Sequence, residues 1–209
     1  MAYKFRMGRP PPGPREYIID STADLANRTV CEIGTETGLD QGIIRTVSGG
    51  NWGSGATSLG EITSGITAYV QMTPSFSYVG NNVHWMMGLG YKDTPPDTST
   101  VPNYEWMQWA LYCWAGTSAA AYVSGTKVNG SAAGGPNFIA DRSWRVEVNS
   151  NVVAIKYSDD SWASSTTNYT FTPQVDIAGN SNLVAGFSLY YAGVHPIENP
   201  IIYGDIEFP

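Results

Sequence analysis

The sequence predicts an all-β protein, an antiparallel β-sandwich, and three observations carry that prediction. The first is residues 141–157, DRSWRVEVNSNVVAIKY, in which Trp144, Val146 and Val148 alternate with Ser143, Arg145 and Glu147. After the polar turn of Asn149, Ser150 and Asn151, Val153, Ile155 and Tyr157 alternate with Val152, Ala154 and Lys156. Successive side chains of a strand point to opposite faces, so this is an antiparallel hairpin with one face on a core. A helix would need apolar residues three and four apart, and Val and Ile are poor helix formers. The second observation is composition: 23 Gly, 13 Pro, 13 Tyr and 7 Trp beside only 14% charged residues favour pleated surfaces and frequent turns. The third is spacing, since about ten to twelve short strand-like runs follow one another with turn residues between them.

Taken in order, residues 1–16 form an arm whose Pro10, Pro11, Pro12 and Pro14 suit an extended polyproline conformation and bar it from a helix or central strand. Residues 17–25 give a short apolar start and then Asp20 and Ser21, caps for a single helical turn. Strands are expected at 29–33 and 42–47, punctuated by Gly34, Gly38, Gly42, Gly49 and Gly50. Trp52 sits among small residues, and Ile66, Ala68 and Val70 alternate. Residues 83–89 form a compact, largely apolar run that suits a strand buried on both faces, and three prolines make 91–103 a surface loop. In residues 104–115, YEWMQWALYCWA, a strand would turn Trp109, Leu111 and Cys113 one way and Tyr104, Trp106, Tyr112 and Trp114 the other. A helix is the alternative there, and the aromatic content favours the strand. A second hairpin is expected over 119–130, with further strands at 169–172, 183–191 and 201–208.

The net charge is −7, yet Lys4, Arg6, Arg9 and Arg15 place four of the eleven basic residues in the first fifteen positions. The acidic remainder argues against a nucleic-acid-binding body; the arm is either a disordered tail or a docking peg that orders on a partner, and an acidic protein is at least as good a partner for it as nucleic acid. No apolar run is long enough to span a membrane as a helix, and the N-terminus lacks the apolar middle of a secretory signal. Cys31 and Cys113 could form one disulfide, but two reduced, buried thiols are the preferred reading. His84 and His195, the only histidines, have no neighbouring ligands, so no metal site is assigned.

Three groups of residues carry a resemblance. Asn51, Trp52 and Gly55 to Ser58 precede a strand, Gly88, Leu89 and Gly90 end another, and Asp141-Arg142 followed by Arg145-Val146-Glu147-Val148 opens the hairpin. Their order resembles concanavalin A-like, lectin- or glucanase-type β-sandwich domains, in particular the jelly-roll versions in bacterial surface and bacteriophage virion proteins. The resemblance implies a lectin-like sandwich over residues 51–209, connecting strands over 17–50 and the extended basic arm over 1–16. It implies a non-enzymatic virion protein on the surface of a capsid or tail. Its partners would be other virion proteins and copies of itself in a homo-oligomer, with host-surface glycan binding as the alternative function and glycoside hydrolysis as the third.

Each function asks for different residues. Glucanases of this type place carboxylates on one strand, and Asp205 with Glu207 is the nearest match, short of one glutamate, so a solvated terminal strand is preferred. No nucleophile elbow, phosphate loop or paired-cysteine motif is present, and the chain is read as not an enzyme. Sugar binding needs flat rings and a few hydrogen-bonding groups. Its candidates are Trp106, Tyr112 and Trp114 on one strand face and Trp162 in a polar loop, whereas Trp52, Trp85 and Trp144 are assigned to the core. Glu147 is expected to pair with a basic cross-strand neighbour. No cofactor is assigned; calcium, common in legume-type relatives, would draw on Asp93, Asp97, Asp159 and Asp160, whose spacing fits ordinary turns better than a calcium loop.

Overall fold

In a computed structural model the structure describes residues 13–35, 41–46, 50–74, 84–92, 104–114, 118–130, 138–171, 182–191 and 197–209. The chain begins with β1 (Arg15–Ile18), β2 (Leu25–Thr29), β3 (Cys31–Gly34) and β4 (Gly42–Arg45). Then come β5 (Gly50–Ser58), β6 (Glu61–Met72), β7 (His84–Tyr91), β8 (Trp109–Trp114), β9 (Ser118–Val123) and β10 (Thr126–Gly130). The hairpin is β11 (Ser143–Asn149) and β12 (Val152–Ser158), followed by β13 (Thr166–Phe171), β14 (Leu183–Tyr191), β15 (Ile197–Glu198) and β16 (Ile201–Glu207). Every pairing among them is antiparallel.

Thirteen strands are joined in one hydrogen-bonded sheet, but β14 meets β6 only at Leu183 and Ile62. That narrow seam divides the sheet into two layers. Seven strands run β10-β9-β8-β7-β14-β5-β2, and six run β1-β16-β6-β11-β12-β13. The fold is therefore the jelly-roll sandwich expected. A small third sheet, β15-β4-β3, sends Cys31, Ile43 and Ile197 into the same core.

Strand alternation decides what lies between the layers. From the seven-stranded layer Trp85, Met87, Leu89, Trp109, Leu111, Cys113 and Phe187 point inward, and from the six-stranded layer Val70, Met72, Trp144, Val146, Val148 and Ile155; all are fully buried. Phe138 bridges the layers, its ring 5.1 Å from that of Trp85 and 4.5 Å from that of Trp144. The hairpin has the expected register, Trp144 opposite Tyr157, Val146 opposite Ile155 and Val148 opposite Val153. Its two-residue turn puts Ser150 at φ 54, the positive value that matches strand twist in a tight hairpin.

Local expectations fare unevenly. Ser21 does cap a helical turn over Thr22–Asp24, with the Asp24 carboxylate accepting from the Ser21 backbone in return. The single strand expected over 29–33 is broken, because Val30 takes φ 44 between β2 and β3. Cys31 and Cys113 are both buried thiols, not joined in a disulfide. The boundary of the arm needs correction: Arg15 and Glu16 belong to β1, paired with Gly204 and Tyr203, and the Arg15 guanidinium donates to the Ile206 carbonyl at 2.5 Å. Lys4, Arg6 and Arg9 lie outside the described residues.

Candidate functional site

The candidate site lies on the outward face of the seven-stranded layer. Met86, Ala110, Tyr112 and Ala120 alternate with core residues on β7, β8 and β9, and so face away from the core. They nevertheless form a second buried cluster together with Met107, against which Trp52, Trp106 and Tyr122 pack. These outward residues are themselves buried, and the side chains that reach solvent over them are Trp52, Trp106 and Tyr122, each partly exposed.

At one end of this face five rings converge. Trp52 meets Tyr112 edge to face at 5.5 Å and Tyr190 at 5.2 Å between ring centroids. His84 lies 6.0 Å from Tyr112 and 5.7 Å from Tyr190, and Tyr122 packs perpendicular to Tyr112 at 5.4 Å. The His84 Nδ1 and Tyr112 hydroxyl share a 2.6 Å hydrogen bond. Burial pushes the His84 pKa below the ordinary histidine value, favouring the neutral ring. Backbone irregularity aims Trp52 here: Leu189 pairs with Ser54 and Tyr191 with Gly50, so three residues of β5 stand opposite the single Tyr190. Arg45, from the small sheet, donates to the Tyr190 carbonyl at 2.6 Å and fixes the backbone behind that ring.

The expected aromatic platform on one strand does not form. Residues 104–106 make a short 3-10 turn and β8 starts only at Trp109, so Trp106 is not on the strand that carries Tyr112. Instead its six-membered ring fills the space that side chains at Gly90 and Gly186 would occupy; a Cβ at Gly90 would overlap it. The Gly88-Leu89-Gly90 motif is thus explained in part: Gly90 is a seat for an indole. Tyr112 is in the cluster but only 9% exposed, and it supports the other rings more than it offers a face of its own. Trp114 stands opposite His84 in register, its side chain lying outside the description. Trp52, assigned to the core from its small and apolar flanks, is on this outward face.

Trp162 is on the other side of the molecule, over the six-stranded layer. It takes φ 69, its backbone N–H donates to the Ser158 hydroxyl at 3.0 Å, and its ring covers the Arg145 guanidinium at 3.7 Å. Arg145 lies equally close, 3.7 Å, to the ring of Tyr69 and donates to Gln71 at 2.5 Å. Tyr69 stacks on Tyr203 at 4.8 Å with only 7° between planes and donates to Glu16 at 2.5 Å. Trp162 is therefore half-buried and already in use, not the open contact its polar loop suggested.

The acidic candidates are engaged locally. Asp159 accepts from Arg142 at 2.5 and 2.8 Å, which holds its carboxyl below the usual range. Asp160 accepts from Ser158 and Ser164, and the Ser164 bonds lower its pKa to about 2. Among the described residues no three His, Cys, Asp or Glu side chains group as metal ligands would; Asp93 and Asp97 lie outside them. Glu147 pairs with Lys156 at 2.6 Å, as expected, though it is largely buried. Asp205 and Glu207 flank the inward Ile206 on β16, facing outward beside β6.

No protein-family model and no curated protein matches the sequence. The fold does have solved counterparts. Lectin II from Ulex europaeus superposes with a TM-score of 0.54 at 9% identity, covering 93% of this chain and 99% of its own. A lectin UEA-II complexed with galactose gives 0.52 at 10% identity over 93% and 99%. The chain thus has the concanavalin A-like, legume-lectin type of fold, and at this identity the likeness concerns the fold. Neither structure links it to a virion.

Proposed function

We propose that this chain is a non-enzymatic glycan-binding module that holds saccharide on the outward face of its seven-stranded layer. The observation that carries the reading is the convergence of Trp52, Tyr190 and Tyr112 around His84 on the outward face, where Trp52, His84 and Tyr190 are each partly exposed. Sugar rings present C–H faces that lie against aromatic rings, while their hydroxyls seek donors and acceptors such as tyrosine hydroxyls and a neutral imidazole. Trp52 and Tyr190 are the stacking surfaces, Tyr112 orients His84, and His84 supplies a polar edge. The fold shared with lectins, one of them solved with galactose, supports the same reading. A glycan array probed with wild-type protein, followed by calorimetry on Trp52→Ala, tests it. A blank array from folded protein removes the reading.

A further inference from the structure

We infer that this face is built for a linear chain of several neutral sugar units, with a second station beside Glu61 and Lys92; the inference rests on the glycan reading above. Strand β14 sends Val184, Gly186, Ser188 and Tyr190 to the outward face in succession, opposite Gly90, Gly88 and Met86 of β7. Tyr190 is in the ring cluster. Six residues along, roughly 20 Å at strand rise, Val184 floors a separate depression. That depression measures about 140 Å³ and is lined also by Ala26, Asn27, Thr57, Glu61 and Lys92. A cavity of about 150 Å³ accepts one benzene, so there is room for about one six-membered ring.

Its polar groups suit hydroxyls. Lys92 Nζ lies 2.5 Å from Glu61 Oε1, with the lysine side chain 47% exposed, so a donor and an acceptor are presented side by side. Two neighbouring sugar hydroxyls match that pair, one donating to the carboxylate and the other accepting from the ammonium. Asn182 holds the second Glu61 oxygen at 3.1 Å and so fixes the carboxylate beforehand. Thr57 accepts from the Asn27 amide at 3.2 Å and keeps its own proton to donate. The paired charges cancel, which favours a neutral unit over a uronate or sulfate. Between the two stations Trp106, partly exposed, sits on Gly90 and Gly186. Ring cluster, indole and depression therefore follow one another along a single strand, at a spacing that no single sugar ring covers.

The test is calorimetric titration of the full chain with neutral linear β-1,4-glucan, β-1,4-mannan and α-1,4-glucan oligosaccharides of one to six units. Affinity is expected to rise about tenfold or more between two and five units in at least one series. In Lys92→Ala, and in Val184→Trp, which fills the depression, that gain disappears and the pentamer binds as the disaccharide does. Equal affinity for the disaccharide and pentamer in wild type, or a length gain that survives both substitutions, overturns the inference alone. Tighter binding of acidic oligosaccharides than of neutral ones overturns the assigned sugar class. If Trp52→Ala leaves disaccharide binding unchanged, or wild type binds none of the series, the glycan reading itself falls with it.

Discussion

The two outward faces of the sandwich are both aromatic, and they differ in what the rings already touch. Over the six-stranded layer, Trp162, Arg145, Tyr69 and Tyr203 form one continuous stack, closed off by bonds to Gln71 and Glu16. Over the seven-stranded layer, Trp52 meets Tyr112 and Tyr190 edge to face, Tyr122 meets Tyr112 likewise, and His84 lies tilted beside Tyr112 and Tyr190, with Trp52, His84, Tyr122 and Tyr190 each partly exposed. A cation held between two rings is a structural joint. Partly exposed rings set at angles to one another are the surface proposed above to receive a sugar. Aromatic content alone does not distinguish the two; a cation inserted between rings, as Arg145 is, does.

That comparison can be broken in several ways. The largest effect is expected from Gly90→Val, which drives a side chain into Trp106. Overpacking of this kind costs about 3 kcal/mol, read as a lower denaturation midpoint together with weakened glycan binding. Next is Arg145→Ala, which removes the cation from between Tyr69 and Trp162. A loss of about 2 kcal/mol in stability is expected with glycan affinity untouched, and Arg145→Lys should restore only part of it, lacking the planar group that stacks. Trp52→Ala should show the opposite pattern, about 1 kcal/mol of stability but about tenfold in affinity.

The smallest effect concerns pH. His84 has its folded-state pKa depressed by burial, so the unfolded chain binds the proton more readily. Stability should therefore rise with pH through the window below the ordinary histidine pKa of about 6.5, and fall as pH drops through it. The melting temperature of wild type should decline between pH 7.5 and 5.5 by more than that of His84→Gln. Equal declines would place the titration elsewhere.

What the sequence made legible was periodic, and what it hid depended on neighbours distant in the chain. The alternation of Trp144, Val146 and Val148 was enough for the hairpin and its register, because a one-residue slip would turn every one of them to solvent. The inward set Trp109, Leu111 and Cys113 was readable for the same reason. Trp106 was misplaced because helical turn and strand both accept its spacing, and only the glycines of two other strands show where its ring goes. Trp52 looked like core from its small flanks, but an irregular pairing with β14 aims it outward. His84, Tyr122 and Tyr190 gave no local sign of a site; each is far from the others in the chain. One signal was available: outward positions occupied by Gly88, Gly90, Gly186 and Ser188 mark a sheet face that something approaches closely.

The most direct test of the account is a calorimetric comparison of wild type, Trp52→Ala and Trp162→Ala against the strongest glycan found on the array. The account predicts that Trp52→Ala loses about tenfold or more in affinity while Trp162→Ala binds as wild type does. Binding that is lost with Trp162 and kept without Trp52 would put the ligand on the six-stranded face and contradict it.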